Sequence, residues 1–123
     1  MIIGVGVDIL SLNRFNTIMQ GKSDSFVRRT YSTNELAEAH QRDNSILFYA
    51  SRFAAKEAVF KALGAKGDFI DLRDISIQTL PTGQPEVQLM GSLKAHADSN
   101  SISQIKLSIS YETDYVVAFA VTE

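Results

Sequence analysis

The sequence contains no cysteine, no tryptophan, only two prolines and no long apolar run. Without cysteine there is no disulfide framework, no thiolate metal site and no cysteine nucleophile. Nothing approaches the roughly 18 consecutive apolar residues of a membrane span, and the N-terminus lacks the basic start of a secretory signal. The expectation is a cytoplasmic protein without a membrane segment. Net charge is only −2, so bulk charge does not point to nucleic acid. The two histidines, His40 and His96, lie in polar helical surroundings and read as surface side chains. Both prolines fall in Pro81-Thr82-Gly83-Gln84-Pro85, a turn by composition.

What is present is ordinary for one globular domain over residues 1–123: 45% apolar and 21% charged residues. Charge is unevenly spread. Arg14, Lys22, Arg28 and Arg29 against Asp24 give Ser11–Tyr31 a net +3 and leave −5 elsewhere. Such a patch suits an acidic partner or a phosphorylated ligand, or is a solvated helix face.

The chain is organised around Ser45–Gly64, SILFYASRFAAKEAVFKALG. Asn44 or Ser45 can cap a helix here, and Gly64 can end it in a left-handed turn. Ile46, Leu47, Ala50, Phe53, Ala54 and Phe60 share one broad face, while Phe48, Ala55, Val59 and Ala62 line the other. A helix apolar nearly all round is buried. Glu57 and Lys61 fall within the first face. They are either a solvent-side i,i+4 ion pair or an inward pair facing a cleft, metal or ligand.

Residues 2–9 alternate as a strand, with Ile3, Val5, Val7 and Ile9 on one side and Gly4, Gly6 and Asp8 on the other. Glycines there admit a close backbone or ligand, and Asp8 is a candidate metal ligand or simply a strand end. Ser11 caps a short helix that Gly21-Lys22-Ser23 breaks, and a second piece follows from Ser25. Ser32-Thr33-Asn34-Glu35 is a capping box opening a helix to about Arg42. After Gly64 come a loop to Asp71, a hairpin of residues 74–80 and 86–90, a helix Gly91–Ser99, and a hairpin of residues 104–112 and 115–121. In the last hairpin Ile105, Leu107, Ile109 and Tyr111 share a face, which makes Tyr111 a core aromatic or a ligand contact. Helices early and antiparallel hairpins late make the chain α+β.

Three segments taken in order, Val7-Asp8-Ile9, Arg52-Phe53-Ala54-Ala55-Lys56-Glu57-Ala58-Val59-Phe60-Lys61-Ala62 and Ser108-Ile109-Ser110-Tyr111, resemble the 4′-phosphopantetheinyl transferases of the short holo-[acyl-carrier-protein] synthase type. The resemblance implies that family's fold, a long central helix against antiparallel hairpins with shorter N-terminal helices. It implies transfer of the 4′-phosphopantetheine arm of coenzyme A to a serine of apo-acyl carrier protein in fatty-acid biosynthesis, with release of 3′,5′-ADP. It also implies Mg²⁺ and a homotrimer with active sites between subunits.

By the same resemblance Asp8 and Glu57 hold the metal, and Glu57 helps remove the serine proton, directly or through a bound water. Lys61 neutralises the phosphates. Arg52, Lys61, Gly64, Gly83, Pro85, Ser110 and Tyr111 contact coenzyme A, and Arg14, Lys22, Arg28 and Arg29 meet the carrier protein. Two positions depart from the family pattern. Tyr111 stands where many members have histidine, and Asp68 lies in a loop where a Gly-Thr-Gly sequence is common. They leave a second reading, a weakened relative that binds carrier protein without transfer.

Overall fold

The computed structural model describes residues 1–67 and 70–123, apart from the side chains of Lys22 and Ser23. Strand β1 (Gly4–Ser11) leads into helix α1 (Leu12–Thr30), then α2 (Thr33–Ala39) and α3 (Ser45–Leu63). A 3₁₀ turn, Leu72–Asp74, precedes β2 (Ile75–Thr79) and β3 (Pro85–Leu89). Helix α4 (Gly91–Ser99) and strands β4 (Ile105–Tyr111) and β5 (Tyr115–Thr122) complete the chain. β2 and β3 form one antiparallel hairpin. β4 and β5 form another, to which β1 adds on the far side of β5, giving the order β1-β5-β4.

α3 occupies the middle. Asn44 accepts the amide of Leu47 at its start, and Gly64 ends it at φ 67°, as the sequence indicates. Its small residues Ala54, Ala58 and Ala62 allow the sheet to come close, and β1 answers with glycines. A β-carbon on Gly6 would stand 2.0 Å from the Ala58 carbonyl oxygen, and one on Gly4 2.2 Å from that of Ala62. The close neighbour that these glycines admit is thus the α3 backbone. Thr122 fastens the same contact by donating its hydroxyl to the Ala62 carbonyl at 2.9 Å. α1 packs on another side of α3 through Phe15, Phe26 and Phe53, whose ring centroids lie 5.6–5.9 Å apart.

Several expectations are corrected. α1 is one helix: Gly21-Lys22-Ser23 does not break it. A glycine inside a helix costs about 1 kcal/mol. Phe15 and Met19 on one side of it, and the partly buried Phe26 and Val27 on the other, pack into one core, and full burial of Phe15 and Met19 alone contributes about 1.5–3 kcal/mol each. α2 opens with the expected capping box but ends at Ala39 rather than Arg42. Ile2 and Ile3 precede β1, and Asp74 belongs to the 3₁₀ turn. His40 is exposed as expected, but His96 is half-buried and hydrogen-bonds the Leu63 carbonyl at 2.8 Å, tying α4 to the end of α3. Among the described residues no helix is long and apolar enough to cross a membrane.

The inner face of the three-stranded sheet carries Val116, Ala118, Ala120, Leu107 and Ile109 against α3. The outer face is apolar along β1 and β5, polar along β4 at Lys106, Ser108 and Ser110, and uncovered among the described residues. Val5, Val7 and Ile9 of β1 lie opposite Val121, Phe119 and Val117 of β5, and Tyr115 follows. Exposures on this face reach 67%, at Ile9.

The two kinds of glycine predict opposite effects. Gly6→Ala lowers stability by about 1–3 kcal/mol in denaturant unfolding, because the added methyl meets α3 backbone. Gly21→Ala, with open space around the new methyl, raises stability by about 0.5–1 kcal/mol.

Candidate active site

The structure separates the charges of α3 in a way that the sequence pattern does not. The deeply buried charge is Lys56, paired with Glu35 of α2 at 2.6 Å with both side chains 0% exposed. Lys61 is 52% exposed, and Glu57 is half-buried. Of the two alternatives read from the sequence, neither a fully solvent-side pair nor a fully inward one holds: Glu57 is half-buried and Lys61 exposed. Each residue turns the helix by about 100°. Position 56 meets α2 and β2, whereas 57 and 61 come to the seam between α3 and β1.

Asp8 stands at that seam. It follows Gly4 and Gly6 on the strand face turned toward α3. Lys61 Nζ donates to the Val7 carbonyl at 2.9 Å and to Asp8 Oδ1 at 3.4 Å. Burial raises the pKa of Asp8, with the Lys61 hydrogen bond and charge opposing. Burial also raises that of Glu57, the Asp8 charge adds to the rise, and Lys61 opposes it. The Asp8 charge disfavours ionisation of Glu57, and a bound cation would relieve that repulsion. Their chemistry fits Mg²⁺, which takes oxygen donors, keeps several waters and commonly uses one or two carboxylates plus substrate phosphate. Among the described residues no larger group of His, Cys, Asp or Glu gathers. Water and phosphate oxygens would complete such a shell.

A second feature is a cavity of about 730 Å³ near the start of α3. Its lining includes Arg42, Asn44, Leu47, Phe48, Arg52, Thr79, Pro81, Gly83, Pro85 and Tyr111. Arg52 is 8% exposed and lies over the Phe48 ring at 4.6 Å. It donates to Thr79 Oγ1 at 2.6 Å and stands 3.6 Å from Glu38 Oε2, while its Nε has no partner. Burial lowers the Arg52 pKa, against the Glu38 charge. Burial works to raise that of Glu38, but hydrogen bonds from Thr79 and Arg42 and the two arginine charges hold it below the ordinary value.

The structure thus brings Arg52, Gly83, Pro85 and Tyr111 to one groove, as the resemblance implies. Tyr111 is 62% exposed, so the core-aromatic alternative is overturned: the end of β4 carries its ring past α3 to the groove mouth. Ser110 lies on the outer sheet face opposite Val117, and Gly64 is an exposed turn after α3; neither lines the cavity. Arg14, Arg28 and Arg29 are exposed on α1. The side chain of Lys22, and Asp68, lie outside the described residues. Sequence reasoning missed Arg42 and Glu38; their i,i+4 spacing at the end of α2 and just beyond it was the available signal.

A family model described as the 4′-phosphopantetheinyl transferase superfamily matches residues 4–120. The holo-[acyl-carrier-protein] synthase of Clostridium kluyveri is 40% identical over 123 residues, covering 100% of this chain and 91% of that protein. Among solved structures, the holo-[acyl-carrier-protein] synthase of Neisseria meningitidis superposes with a TM-score of 0.92 at 36% identity, covering 100% of this chain and 99% of that one. The Helicobacter pylori enzyme, solved in complex with coenzyme A, gives 0.81 at 29% identity, covering 97% and 99%.

The raised Glu57 pKa has a consequence for metal-free protein. A carboxylate with a raised folded-state pKa loses stability as pH climbs from its ordinary value through the raised one, and the loss is complete above that. Glu57→Gln therefore raises the melting temperature at pH 7, and the gain shrinks toward zero as pH falls to the ordinary value of 4.5. Thermal unfolding in a chelator across this range checks it.

Proposed function

The chain belongs to the 4′-phosphopantetheinyl transferase superfamily, and from that premise we infer its reaction. It is a holo-acyl-carrier-protein synthase that transfers the 4′-phosphopantetheine arm of coenzyme A to a serine hydroxyl of apo-acyl carrier protein and releases 3′,5′-ADP. The observation that carries the reading is the meeting of Asp8, Glu57 and Lys61 at one seam of a chain matched along nearly its whole length. A cytoplasmic role in fatty-acid biosynthesis belongs to the same proposal and rests on the resemblance.

The serine oxygen attacks the pantetheine-side phosphorus of the pyrophosphate, and the bond from that phosphorus to 3′,5′-ADP breaks. Such transfers depend mainly on positioning and charge neutralisation. Glu57 accepts the serine proton, directly or through a bound water. Lys61 is held at the Val7 carbonyl and Asp8, its remaining N–H faces phosphate oxygens, and it can give a proton to the departing ADP. Asp8 and Glu57 would hold Mg²⁺, which when bound draws negative charge from the pyrophosphate. The adenosine end occupies the groove, where the Arg52 guanidinium and the Tyr111 ring offer a positive charge and a stacking face.

Within one chain these halves are apart. Arg52 and Glu57 differ by five residues, about 140° around α3. A groove from one subunit facing the carboxylates of another joins them. The uncovered apolar sheet face around Val7 and Phe119 supports such an assembly, and the resemblance implies that it is a trimer. The carrier protein docks on α1, where Arg14, the exposed Ile18 and Arg28 fall on one stripe, with Lys22 and Arg29 beside it.

Apo-acyl carrier protein incubated with this protein, coenzyme A and Mg²⁺ gains the mass of one phosphopantetheine arm. Carrier binding without mass gain fits the non-transferring alternative and overturns the assignment. Glu57→Gln lowers kcat by about 10²-fold or more while the fold persists. Phe119→Asp converts the assembly to monomers in light scattering and stops transfer, although no residue at the seam has changed.

A further inference from the structure

The transfer mechanism leaves one pair of charged groups unused. Glu35 and Lys56 lie wholly inside the protein, and every polar atom of the pair is engaged. Lys56 Nζ donates to Glu35, to the Leu72 carbonyl at 2.9 Å and to the Ile75 carbonyl. Glu35 accepts the amides of Ser32 and Ile77, both at 2.8 Å. Beside them the Ser32 and Ser76 hydroxyls share a hydrogen bond of 2.7 Å. Well-packed apolar residues commonly replace a buried ion pair without loss of stability, so stability alone does not explain this one.

Its place in the fold does. The pair joins α2, α3 and β2. The same three elements meet again at the groove, where Glu38, Arg52 and Thr79 converge: Thr79 donates to Glu38 at 2.7 Å and accepts from Arg52. The steps between the layers are one turn of α2 (35 to 38), one turn of α3 (56 to 52) and one strand repeat of β2 (77 to 79). A shift of β2 against α3 in the inner layer would move Thr79 and the turn from Leu80 to Pro85 relative to Arg52, and a shift of α2 would do the same to Glu38.

We propose that Glu35 and Lys56 are positioning residues for the nucleotide groove, holding Arg52 and the β2–β3 turn at the spacing that coenzyme A requires without touching it. The inference rests on the transferase reading above.

The test measures transfer kinetics and 3′,5′-ADP binding by calorimetry for wild type, Lys56→Met, Lys56→Arg and a control, Leu93→Ala, a core truncation in α4 away from the groove. Lys56→Met raises KM for coenzyme A and Kd for 3′,5′-ADP about tenfold, with kcat within about threefold, and Lys56→Arg recovers part of the loss. Leu93→Ala lowers the melting temperature without moving KM. Should Lys56→Met not fold, Ser32→Ala/Ser76→Ala loosens the same junction while leaving no charge unpaired, and it raises KM about twofold to threefold. Unchanged KM and Kd in a folded variant, or an equal rise in the control, overturn the inference. Wild type that does not charge carrier protein fails the transferase reading instead.

Discussion

The close approach of α3 to β1 is the contact on which the rest of the molecule depends. Helix and strand backbones touch where Gly4 and Gly6 meet Ala58 and Ala62, leaving no space for side chains between them. That proximity puts Asp8 within reach of Glu57 and Lys61, because the next inward residue on the strand after Gly6 is Asp8. With bulkier residues in place of the glycines, the helix would be pushed outward, and the carboxylates would part with it. The packing of the fold and the assembly of its acidic pair are thus one feature.

A helix covered on nearly every side has two ways to carry charge, and α3 uses both. Lys56 is taken fully out of water and compensated by a carboxylate and two carbonyls. Glu57 and Lys61 are instead left at a seam that the sheet does not close. Burial there is partial, enough to raise both carboxylate pKa values while leaving Lys61 exposed. The first arrangement has no free valence and can only hold geometry. The second has unmet charge, which is what a phosphate-transferring site requires.

Much of this was legible in the sequence. The limits of α3, its Asn44 cap and Gly64 end, the capping box at Ser32 and both hairpins follow from local chemistry that tertiary packing leaves intact. The break at Gly21 was misread because a local glycine penalty is smaller than the burial of the aromatics on either side of it. The burial of Lys56 rather than Lys61 was not legible, since a helical wheel shows which residues share a face but not which faces neighbours will cover. Glu35 was visible only as half of a capping box; its second task needed β2 beside it. Tyr111 was assigned by alternation to an apolar face, and alternation cannot tell where a strand outruns the helix that covers it. The groove draws on α2, α3, the β2–β3 turn and β4, and no spacing in the chain foretells that these converge.

What remains is the division of the chemistry around α3. One side of the helix offers an arginine with an unpartnered nitrogen, an aromatic ring and a glycine-proline turn; another side offers two carboxylates and a lysine. On the proposed reading, a pyrophosphate with adenosine at one end and pantetheine at the other reaches both. A single helix, about 10 Å across with its side chains, stands between them. The outer face of the sheet is apolar along both β1 and β5 and has nothing over it within the chain. Covering that face with another copy removes an otherwise unfavourable surface and brings foreign residues beside the Asp8 strand. In the proposed assembly the same association hides the apolar face and completes the site, so that reading ties activity to assembly.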